Sequence, residues 1–575
     1  MSKQSTLKEA ITLTFLPTIF ISQNFKHYFV MNRLFALVFI ILPGVMIAQP
    51  SKSQQPGSNY FDIAKNLEIF ANAYKEINQN YVDVLDPGNL MRQGMDAMLE
   101  GLDPFTNYIS ETDIEGYRYQ TDGKYNGVGA AARTRGDYVV ISDIYENSPA
   151  QKCGLKVGDE ILAIDGQNAK GRSGDAVLEF LRGFPGTEAK IKVRRPVENK
   201  ELTLTLQRAD VTIPNVPHSG LVADGIGYVN LTVFTQDATA NINKAIRELK
   251  SKDPKLKGII LDLRDNGGGL LIEAVNIVNL FVPRGQLVVA TKGKVPERNN
   301  DFKTMGPALD EDIPVVVLIN KRSASASEIV SGALQDLDRA VLMGQLSYGK
   351  GLVQNTADVG YNAKIKLTIA KYYIPSGRCI QATRYKHGEP VEIPESERAP
   401  FKTKNGRTVY DGGGVKPDIL LLKDTASGVV KALLDQFVVF DYATKFAAEH
   451  PSIDSIELFE FNDWAGFSTF LASKNFSYVS HSEQKIKELK ELNKRENWMI
   501  GGEITAMETK IAAEKVAELE RSKDKILHEL EQEIVGRYYF QRGKVRKSLV
   551  NDPEVKEAVK LLNDMPRYTA TLKSK

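Results

Sequence analysis

The chain has 575 residues, of which 42 % are hydrophobic and 25 % charged, as in a soluble globular protein of about three or four domains. Its formal net charge of +2 gives no case for binding nucleic acid or an anionic membrane. Cys153 and Cys379 stand far apart in no Cys-x-x-Cys or Cys/His spacing. This argues against a structural metal and leaves either two isolated thiols or one disulfide.

The N-terminal residues have the layout of a secretory signal peptide. A basic start at residues 31–33 precedes an apolar run at 34–41 and a cleavage point after Ala48. We therefore predict that residues 1–48 are a signal or targeting segment, with Met31 as the true initiator. An uncleaved anchor is the alternative, although the apolar run is shorter than the about 20 residues that a membrane-spanning helix needs.

A linker and a helical region follow. Residues 49–59 are rich in Ser, Gln, Pro and Gly, which predicts a linker. In residues 60–115, apolar side chains recur at alternating spacings of four and three, as on one face of a helix. That face comprises Ile63, Leu67, Phe70, Tyr74 and Ile77. The region ends in a turn-rich segment at residues 101–108, Gly-Leu-Asp-Pro-Phe-Thr-Asn-Tyr.

Residues 116–210 consist of short alternating strands, among them 138–141 and 160–164, separated by Gly- and Asp-containing turns. A short helix is predicted at 174–181, followed by Gly-Phe-Pro-Gly-Thr at 183–187. This order resembles a PDZ domain, a β-rich module that binds the C-terminal tails of proteins.

The loop at residues 125–130 matches the carboxylate-binding loop of such a domain. Its peptide-binding residues would be Gly127, Val128, Gly129 and Ala130. Glycines allow consecutive backbone N–H groups to point into one concavity, which can hold a terminal carboxylate. The neighbouring strand edge can accept an extended peptide. A single Gly-x-Gly is more often an ordinary hairpin turn, so the interpretation depends on the surrounding pattern.

Residues 211–425 form an α/β section. Continuous apolar runs at 226–231, 258–263 and 314–319 predict strands covered on both faces, and residues 238–249 predict a helix. The remaining 426–575 are predicted to be helical, and residues 483–534 to form long amphipathic helices that pack on the body or on another subunit. The fold class is thus a multidomain α/β protein: a helical N-terminal part, an inserted β-rich PDZ domain, an α/β core and a helical C-terminal extension.

Ser325 lies in the run Ser-Ala-Ser-Ala-Ser-Glu at residues 323–328. With Glu328 it forms a Ser-x-x-Glu capping box ahead of a helix that is predicted to reach about Leu337. A helix cap is the commoner role for such a serine. The two roles are compatible, because a serine at a helix N-terminus lies beside unpaired N–H groups that could stabilise an oxyanion.

Lys350 lies in Tyr-Gly-Lys-Gly at residues 348–351. A lysine in a glycine turn is usually a surface residue. It could serve as the general base for Ser325 if burial lowers its pKa, because desolvation penalises the ammonium form. A hydroxyl and a neutral amine can together carry out acyl transfer without histidine.

The third segment is Asp-Leu-Arg-Asp-Asn-Gly-Gly-Gly at residues 262–269. It follows a predicted buried strand, so its N–H groups could face a reacting carbonyl. The alternative is an ordinary glycine-rich turn. A phosphate loop is disfavoured because the Gly-Lys-Ser/Thr ending is absent.

Over roughly residues 60–425, the chain resembles the carboxy-terminal processing protease family of Ser/Lys peptidases. The resemblance is carried by motifs in family order: residues 102–104, the PDZ loop, 262–264 with 266–268, 323–328, 348–351, 374–378 with 380–381, and 414–418. Several ordered motifs are far more specific than any single one.

The resemblance implies a role for each matching residue. Ser325, the middle serine, would be the nucleophile and Lys350 the general base. Gln354 would orient the lysine, and Asp336 matches a carboxylate that is important in some members. Gly267 or Gly268 with Ala326 would form the oxyanion hole. No cofactor is implied.

The predicted function is an exported serine endopeptidase that binds protein C-terminal tails and cleaves through an acyl-enzyme. Its partners would be protein substrates with accessible C-termini and no nucleic acid. An adaptor protein, a membrane anchor and a homo-oligomer through the C-terminal helices are left open.

The predicted location is the periplasm of a Gram-negative bacterium, or the inner membrane facing it. The alternative is an inactive PDZ scaffold or periplasmic chaperone, and an acyl transferase on small molecules fits the peptide-binding domain less well.

Overall fold

The computed structural model describes residues 58–422 and 427–573. The predicted signal segment, and the predicted linker up to residue 57, lie outside these described residues. The chain divides into two units, Met1–Leu85 and Asp86–Lys575. The first contains α1 (Ser58–Asn80). Its periodicity predicted a helix correctly, but Ile63 and Leu67 on the apolar face are 54 % and 64 % exposed.

The second unit begins with a helix, a turn and a second helix. The elements are α2 (Pro87–Glu100), β1 (Asn107–Ile109), a 3-10 turn (Glu111–Asp113) and α3 (Ile114–Asp122). The side chain of Asp86 caps α2. The predicted PDZ boundary at residue 116 falls inside α3, which ends before Gly123, where φ is +67°. The strands of the PDZ region therefore begin later than the composition indicates.

The PDZ region contains a six-stranded sheet with two helices. Its elements are β2 (Lys124–Gly127), β3 (Ala130–Arg135), β4 (Tyr138–Ile144), α4 (Pro149–Lys152), β5 (Glu160–Ile164), β6 (Gln167–Asn168), α5 (Gly174–Leu181), β7 (Glu188–Arg195), β8 (Lys200–Gln207) and β9 (Ala209–Thr212). The strand order is β3-β4-β5-β7-β8, with β6 on β5, whereas β2 and β9 pair with each other outside this sheet. Buried side chains such as Val139, Ile161 and Val177 form its own core.

The α/β core follows and contains one sheet of six strands and one of five. Its elements are β10 (His218–Ala223), β11 (Ile226–Asn230), α6 (Ala238–Lys252), β12 (Gly258–Asp262), α7 (Leu271–Asn279), β13 (Leu287–Gly293), β14 (Asn300–Lys303), β15 (Val315–Ile319), α8 (Ala326–Asp336), β16 (Val341–Gly344), β17 (Leu352–Gly360), β18 (Ala363–Tyr373), β19 (Thr383–Lys386), β20 (Glu389–Glu392), β21 (Pro400–Lys402), β22 (Thr408–Tyr410) and β23 (Ile419–Leu420). The predicted strands and the helix at 238–249 are all present.

The six-stranded sheet of the core has the order β10-β11-β12-β15-β16-β23. All neighbours are parallel except the edge strand β10, which is antiparallel to β11. Every residue of β11, β12 and β15 is buried, which explains their continuous apolar runs. Because β12 and β15 are parallel neighbours, the loops that follow them meet at one edge of the sheet. Those loops carry Gly267 and Ser325.

The second sheet of the core is organised around β18. This strand pairs with β17 along one edge and with β1 and β13 along the other. Because β1 precedes the PDZ region in the chain, the segment before that region is part of the core.

The C-terminal part is helical, as predicted. It contains α9 (Gly428–Asp435), α10 (Val438–Glu449), α11 (Trp464–Ser473), α12 (His481–Glu496), α13 (Gly501–Arg521), α14 (Lys523–Leu549), α15 (Pro553–Asn563) and α16 (Met565–Thr571). Leu433, Phe467 and Leu530 belong to the core of this part. Leu561 of α15 instead packs with Ile260 on one face of the core sheet, so the last helices complete the α/β core.

None of the helices in the described ranges combines the length and apolarity needed to cross a membrane. Cys153 and Cys379 are both free thiols.

Candidate active site

A cavity of about 490 Å³ lies where the loops after β12 and β15 meet. Its lining brings together nearly all of the predicted catalytic residues: Ser325, Ala326, Gly267, Gly268, Lys350 and Gln354. In α/β folds such a position, beyond the carboxyl ends of parallel strands, is where ligands bind.

Ser325 immediately precedes α8 and has an unusual backbone, with φ 56° and ψ −113°. A non-glycine residue in this region is strained, and such strain often marks a functional position. The Glu328 half of the predicted capping box is formed, because the Ser325 N–H donates to Glu328 Oε2 at 2.8 Å. The Glu328 N–H donates to the backbone carbonyl of Ser325 at 2.8 Å. The predicted cap and a nucleophile position therefore coincide.

The flanking serines have other partners. The hydroxyl of Ser323 donates to the Leu263 carbonyl, and that of Ser327 donates to the Asn266 carbonyl, both at 2.8 Å. Both serines are fully buried, whereas Ser325 lines the cavity. Of the three serines in the run, only the middle one is positioned to meet a substrate.

Glu328 links the serine segment to the lysine segment. Its Oε2 accepts the N–H groups of Ser325 at 2.8 Å and Lys350 at 2.9 Å, while Oε1 accepts the Gly349 N–H at 2.7 Å and the Ser347 hydroxyl at 2.5 Å. Complete burial raises the pKa of Glu328 to about 7, although these four donors oppose the shift. The sequence indicated only its capping role.

The ammonium group of Lys350 lies over the ring of Phe105, with Nζ 4.2 Å from the ring centre. Burial, reinforced by the positive charge of Lys366, lowers the pKa of Lys350 to about 8, while Asp103 and Glu328 oppose the shift. The hydroxyl of Tyr372 donates to the backbone carbonyl of Lys350 at 2.7 Å and lies 3.2 Å from the backbone carbonyl oxygen of Ser325. Within the part of the chain that the structure describes, no hydrogen bond joins Lys350 Nζ to Ser325.

Gln354 lines the same cavity and belongs to a chain of side-chain hydrogen bonds. Its Nε2 donates to Thr368 Oγ1 at 3.1 Å, and the Thr368 hydroxyl donates to Asp103 Oδ1 at 3.1 Å. Asp103 also accepts the N–H groups of Phe105 at 2.9 Å and Thr106 at 3.0 Å. The turn at 101–108 was predicted as a turn, and its residues 102–104 as a family motif without an assigned role. It supplies both the Phe105 ring against Lys350 and the Asp103 carboxylate that holds Thr368 and, through it, Gln354.

The two candidate oxyanion glycines, Gly267 and Gly268, differ in whether their backbone N–H group is available to a substrate. The N–H of Gly268 is already donated to Asn266 Oδ1 at 2.9 Å. With φ +101°, a Cβ on Gly268 would lie 2.8 Å from the Ala324 carbonyl oxygen and 2.9 Å from the Ala326 nitrogen, so only glycine fits there. The N–H groups of Gly267 and Ala326 have no hydrogen-bond partner among the described residues. This favours Gly267 with Ala326 as the donor pair.

Asp336 is not part of the cavity. It is the last residue of the 11-residue helix α8, about 16 Å along the axis from Ser325. It forms a fully buried ion pair with Arg378 at 2.9 Å and accepts the Ser376 N–H at 3.0 Å. Its placement favours a stabilising role, tying α8 to the segment after β18.

In the PDZ region, the predicted carboxylate loop connects β2 to β3. The N–H of Gly129 (φ +76°) donates to the hydroxyl of Tyr125 at 3.1 Å. The Val128 carbonyl accepts the Ala150 N–H at 2.8 Å, which fixes the loop. Because β3 is an edge strand of its sheet, its outer edge is available for an added peptide strand.

Sequence reasoning missed several residues around the dyad: Glu328 as a link, Asp103, Phe105, Lys366, Thr368 and Tyr372. A usable signal existed for the last three. They lie at even positions of β18, and alternate residues of a strand share a face.

Three family models match the chain. "Peptidase family S41" matches residues 225–388, "PDZ domain" residues 140–195, and "Probable PDZ-protease, C-terminal helical domain" residues 429–562. Together with the fold, they define a serine peptidase that carries a PDZ domain and a helical C-terminal domain.

Two curated relatives are similar over the peptidase part. The "Carboxy-terminal-processing protease" of Bartonella bacilliformis is 33 % identical over 363 residues, covering 63 % of this chain and 82 % of the relative. The "Probable CtpA-like serine protease" of Staphylococcus aureus strain MSSA476 is 32 % identical over 343 residues, covering 59 % and 67 %. The chain therefore belongs to the carboxy-terminal-processing proteases of peptidase family S41.

Among solved structures, the photosystem II D1 C-terminal processing protease is 26 % identical, with a TM-score of 0.34, covering 64 % of this chain and 96 % of that chain. The family assignment depends on the curated relatives and not on this superposition.

Proposed function

We propose that the protein is an exported endopeptidase that captures protein C-terminal tails with its PDZ domain and cleaves with a Ser325/Lys350 dyad. The observation that carries the proposal is the single cavity shared by a serine on a strained helix cap and a lysine whose pKa is lowered to about 8. A lysine with this pKa is neutral in a substantial fraction of molecules near pH 7 to 8, as a general base must be.

In the proposed cycle, neutral Lys350 accepts the Ser325 hydroxyl proton while Oγ attacks the scissile carbonyl carbon. The oxyanion that forms is held by the N–H groups of Ala326 and Gly267. Lys350 then gives the proton to the leaving amine as the C–N bond breaks, which leaves an acyl-enzyme. A water molecule attacks the ester, Lys350 takes its proton, and Ser325 recovers a proton as the acid product leaves.

One movement must precede catalysis. Lys350 Nζ lies over the Phe105 ring and is not hydrogen-bonded to Ser325, so the side chain has to leave the ring and turn toward the hydroxyl. Rotamer changes of a lysine are small motions, and Gly349 and Gly351 flank it. We propose that Gln354, held by Thr368, orients the amine once it has moved.

The dyad is tested by comparing wild type with Ser325→Ala, Lys350→Ala and Lys350→Arg on an unfolded protein substrate. All three variants should lose activity, because arginine keeps the charge but cannot act as a base near neutral pH. Lys371→Ala, an exposed lysine of β18, is the matched control and should cleave normally. Unchanged cleavage by any of the dyad variants contradicts the proposal.

The separation of Lys350 from Ser325 in this structure also fits the alternative, an inactive PDZ scaffold or chaperone. The same experiment distinguishes the two functions if binding of a tail peptide is measured in parallel. Tail binding by the wild type without any turnover would favour the scaffold.

We infer export, to the periplasm, from the signal-like pattern at residues 31–48. Mass spectrometry of the N-terminus of the protein purified from its native cell envelope tests this. A chain that begins near Gln49 is expected, and an intact N-terminus in the cytoplasmic fraction would contradict it.

A further inference from the structure

A second cavity, of about 1040 Å³, lies between β10 and the C-terminal helices. Its walls are the strand β10, the end of α14 and one side of α15. It shares no lining residue with the Ser325 cavity. No step of the proposed peptidase mechanism uses it.

One wall of this cavity is a free strand edge. β10 is the first strand of its sheet and pairs only with β11. Across residues 58–422 and 427–573, no backbone hydrogen bond uses its outer edge. The pairing is regular from His218 to Leu221 and irregular between Leu221 and Ala223. At Gly220, in the regular part, a Cβ would lie 3.3 Å from the His218 ring, so this glycine makes room for the histidine of the same strand.

The cavity is strongly cationic. Its lining contains five basic residues and one carboxylate, Glu457. The basic residues are Lys252, Arg542, Arg546, Lys556 and Lys560. Burial, followed by the charges of Arg546 and Arg542, lowers the pKa of His218 to about 4, so this residue is neutral under ordinary conditions.

The acidic partners of these cations are replaceable. Arg542 lies 3.7 Å from Glu146 and Lys560 lies 3.3 Å from Glu557, with both cations more than half exposed. Arg546 pairs with Glu457 of the same lining, and about half of each of these two side chains is exposed. Exposed pairs of this kind contribute only about 0–1 kcal/mol. A carboxylate ligand could therefore take over these cations at little cost.

The helical wall also presents apolar side chains. Leu549, Val550, Val555 and Val559 line the cavity beside the cations. A partner suited to this lining would have an extended backbone with acidic side chains toward the helical wall. Because successive residues of a strand point to opposite faces, these acidic residues would recur at every second position.

We propose that this groove binds an extended acidic segment of a partner protein, which adds as a strand to the outer edge of β10. The backbone of the segment would pair with the edge, as in other strand-addition complexes. Its acidic side chains would face the cations of α14 and α15, and the side chains between them would point away from that wall. A strand rises about 3.3 Å per residue, so the four regular residues of β10 can hold a partner segment of about 13 Å.

The test uses the full-length Ser325→Ala protein and a fluorescent peptide of about eight alternating Glu and Val residues, long enough to span the edge. Its C-terminus is amidated, so the PDZ carboxylate loop has no carboxylate to bind. We expect saturable binding, and slower hydrogen exchange at residues 218–221 when the peptide is added. Arg542→Glu and Lys556→Glu should each weaken binding by about tenfold or more. Lys485→Glu, on α12, is the control and should bind as before.

Two further peptides separate strand addition from simple charge attraction. A proline in the middle of the peptide removes a ladder donor and should weaken binding about tenfold. The Lys-Val peptide of the same pattern should not bind. Absence of binding by the Glu-Val peptide, equal binding of the proline peptide, or no protection of residues 218–221 overturns the proposal.

Folding of each variant is checked by its unchanged affinity for a free-tailed peptide at the PDZ domain. A concentration-dependent dimer that Arg542→Glu abolishes would show that a second copy of the chain occupies the groove, which also overturns the proposal. Because every measurement uses the Ser325→Ala protein, the outcome is independent of the dyad.

Discussion

Lys350 Nζ lies 4.2 Å from the centre of the Phe105 ring, on the face of an aromatic side chain from the turn that precedes β1. A cation over an aromatic face is stabilised by about 0.5–2 kcal/mol. The ring therefore opposes the effect of burial, which favours the neutral amine. It also holds the amine away from Ser325. In the proposed mechanism, Lys350 has to leave this contact before it can reach Ser325.

Phe105→Leu should raise activity at neutral pH. The substitution keeps an apolar contact but removes the aromatic face, so the lysine pKa should fall further and the side chain should move more freely. From the size of a cation–π contact we expect a gain in kcat/KM of about three- to tenfold. Phe184→Leu, at an exposed PDZ position, is the control. A decrease in kcat/KM with an unshifted pH profile would instead show that the ring positions the lysine productively.

The pH profile of kcat/KM should report the lysine. The active form is the neutral amine, so the rate should be low at acid pH, rise through about pH 8 and level off above it. Lys366 pushes the pKa of Lys350 down, whereas Asp103 and Glu328 push it up. Lys366→Gln should therefore move the midpoint to higher pH and slow the reaction at pH 7.

The control for this profile is Lys371→Gln on the same strand, whose side chain is exposed and outside the cavity. Its midpoint should match that of wild type. A wild-type profile that is flat between pH 6 and 10 would be incompatible with Lys350 as the base.

Substitution by alanine should affect activity and melting temperature differently at the neighbouring positions Gly268 and Gly267. At Gly268, the new Cβ would meet the backbone of Ala324 and Ala326 and the side chain of Ser325 within 2.9 Å, at φ +101°. We expect a loss of activity on the order of 10² or more, because the new Cβ would displace Ala326, whose N–H is a proposed oxyanion donor. The melting temperature should also fall, since the backbone conformation alone costs an L-residue roughly 1–2 kcal/mol. At Gly267 nothing lies within 4 Å of the Cβ position, so its alanine variant should melt like wild type. Equal melting temperatures for the two variants would refute this account of the loop.

Tyr125→Phe should strengthen tail binding at the PDZ domain. The Tyr125 hydroxyl accepts the N–H of Gly129, one of the groups predicted to hold the terminal carboxylate. Removing the competing acceptor should improve affinity by about two- to tenfold, the usual range for one hydrogen bond. Titration with a free-tailed peptide and its amidated form measures this, with Tyr138→Phe as the control. The gain should be confined to the free-tailed peptide, and equal gains for both would contradict it.

Local patterns predicted most of the fold and part of the site. The apolar runs of β11, β12 and β15 and the capping box of α8 were sufficient to place Ser325 at a helix N-terminus and Gly267 after a buried strand. The predicted helix also indicates that Asp336 is distant from Ser325, because ten helical residues lie between them. The family match brought it into the predicted site, whereas its burial against Arg378 indicates a stabilising contact.

The other residues of the candidate site could not be predicted, because they depend on contacts between segments that are distant in the chain. A pattern within one segment does not encode such contacts. Glu328 is recognisable as a cap for Ser325, but its bond to the Lys350 N–H requires knowing how two loops pack. Phe105 belongs to a segment that precedes the PDZ region, and its approach to Lys350 follows only from the pairing of β1 with β18. The face of α1 was recognised as apolar, but periodicity does not specify what, if anything, covers it.

The pairing of β2 with β9 has an evolutionary consequence. Lys124 is opposite Thr212, and the Ile213 N–H donates to the Gly123 carbonyl at 2.9 Å. The PDZ region therefore leaves the core beside the point where it enters, through one antiparallel pair. Exchange of such an insertion by recombination needs two crossover points, and these encode residues that lie side by side in the structure, so the registers of both core sheets can stay unchanged. The PDZ region and the peptidase core can in this way diversify at different rates within one gene.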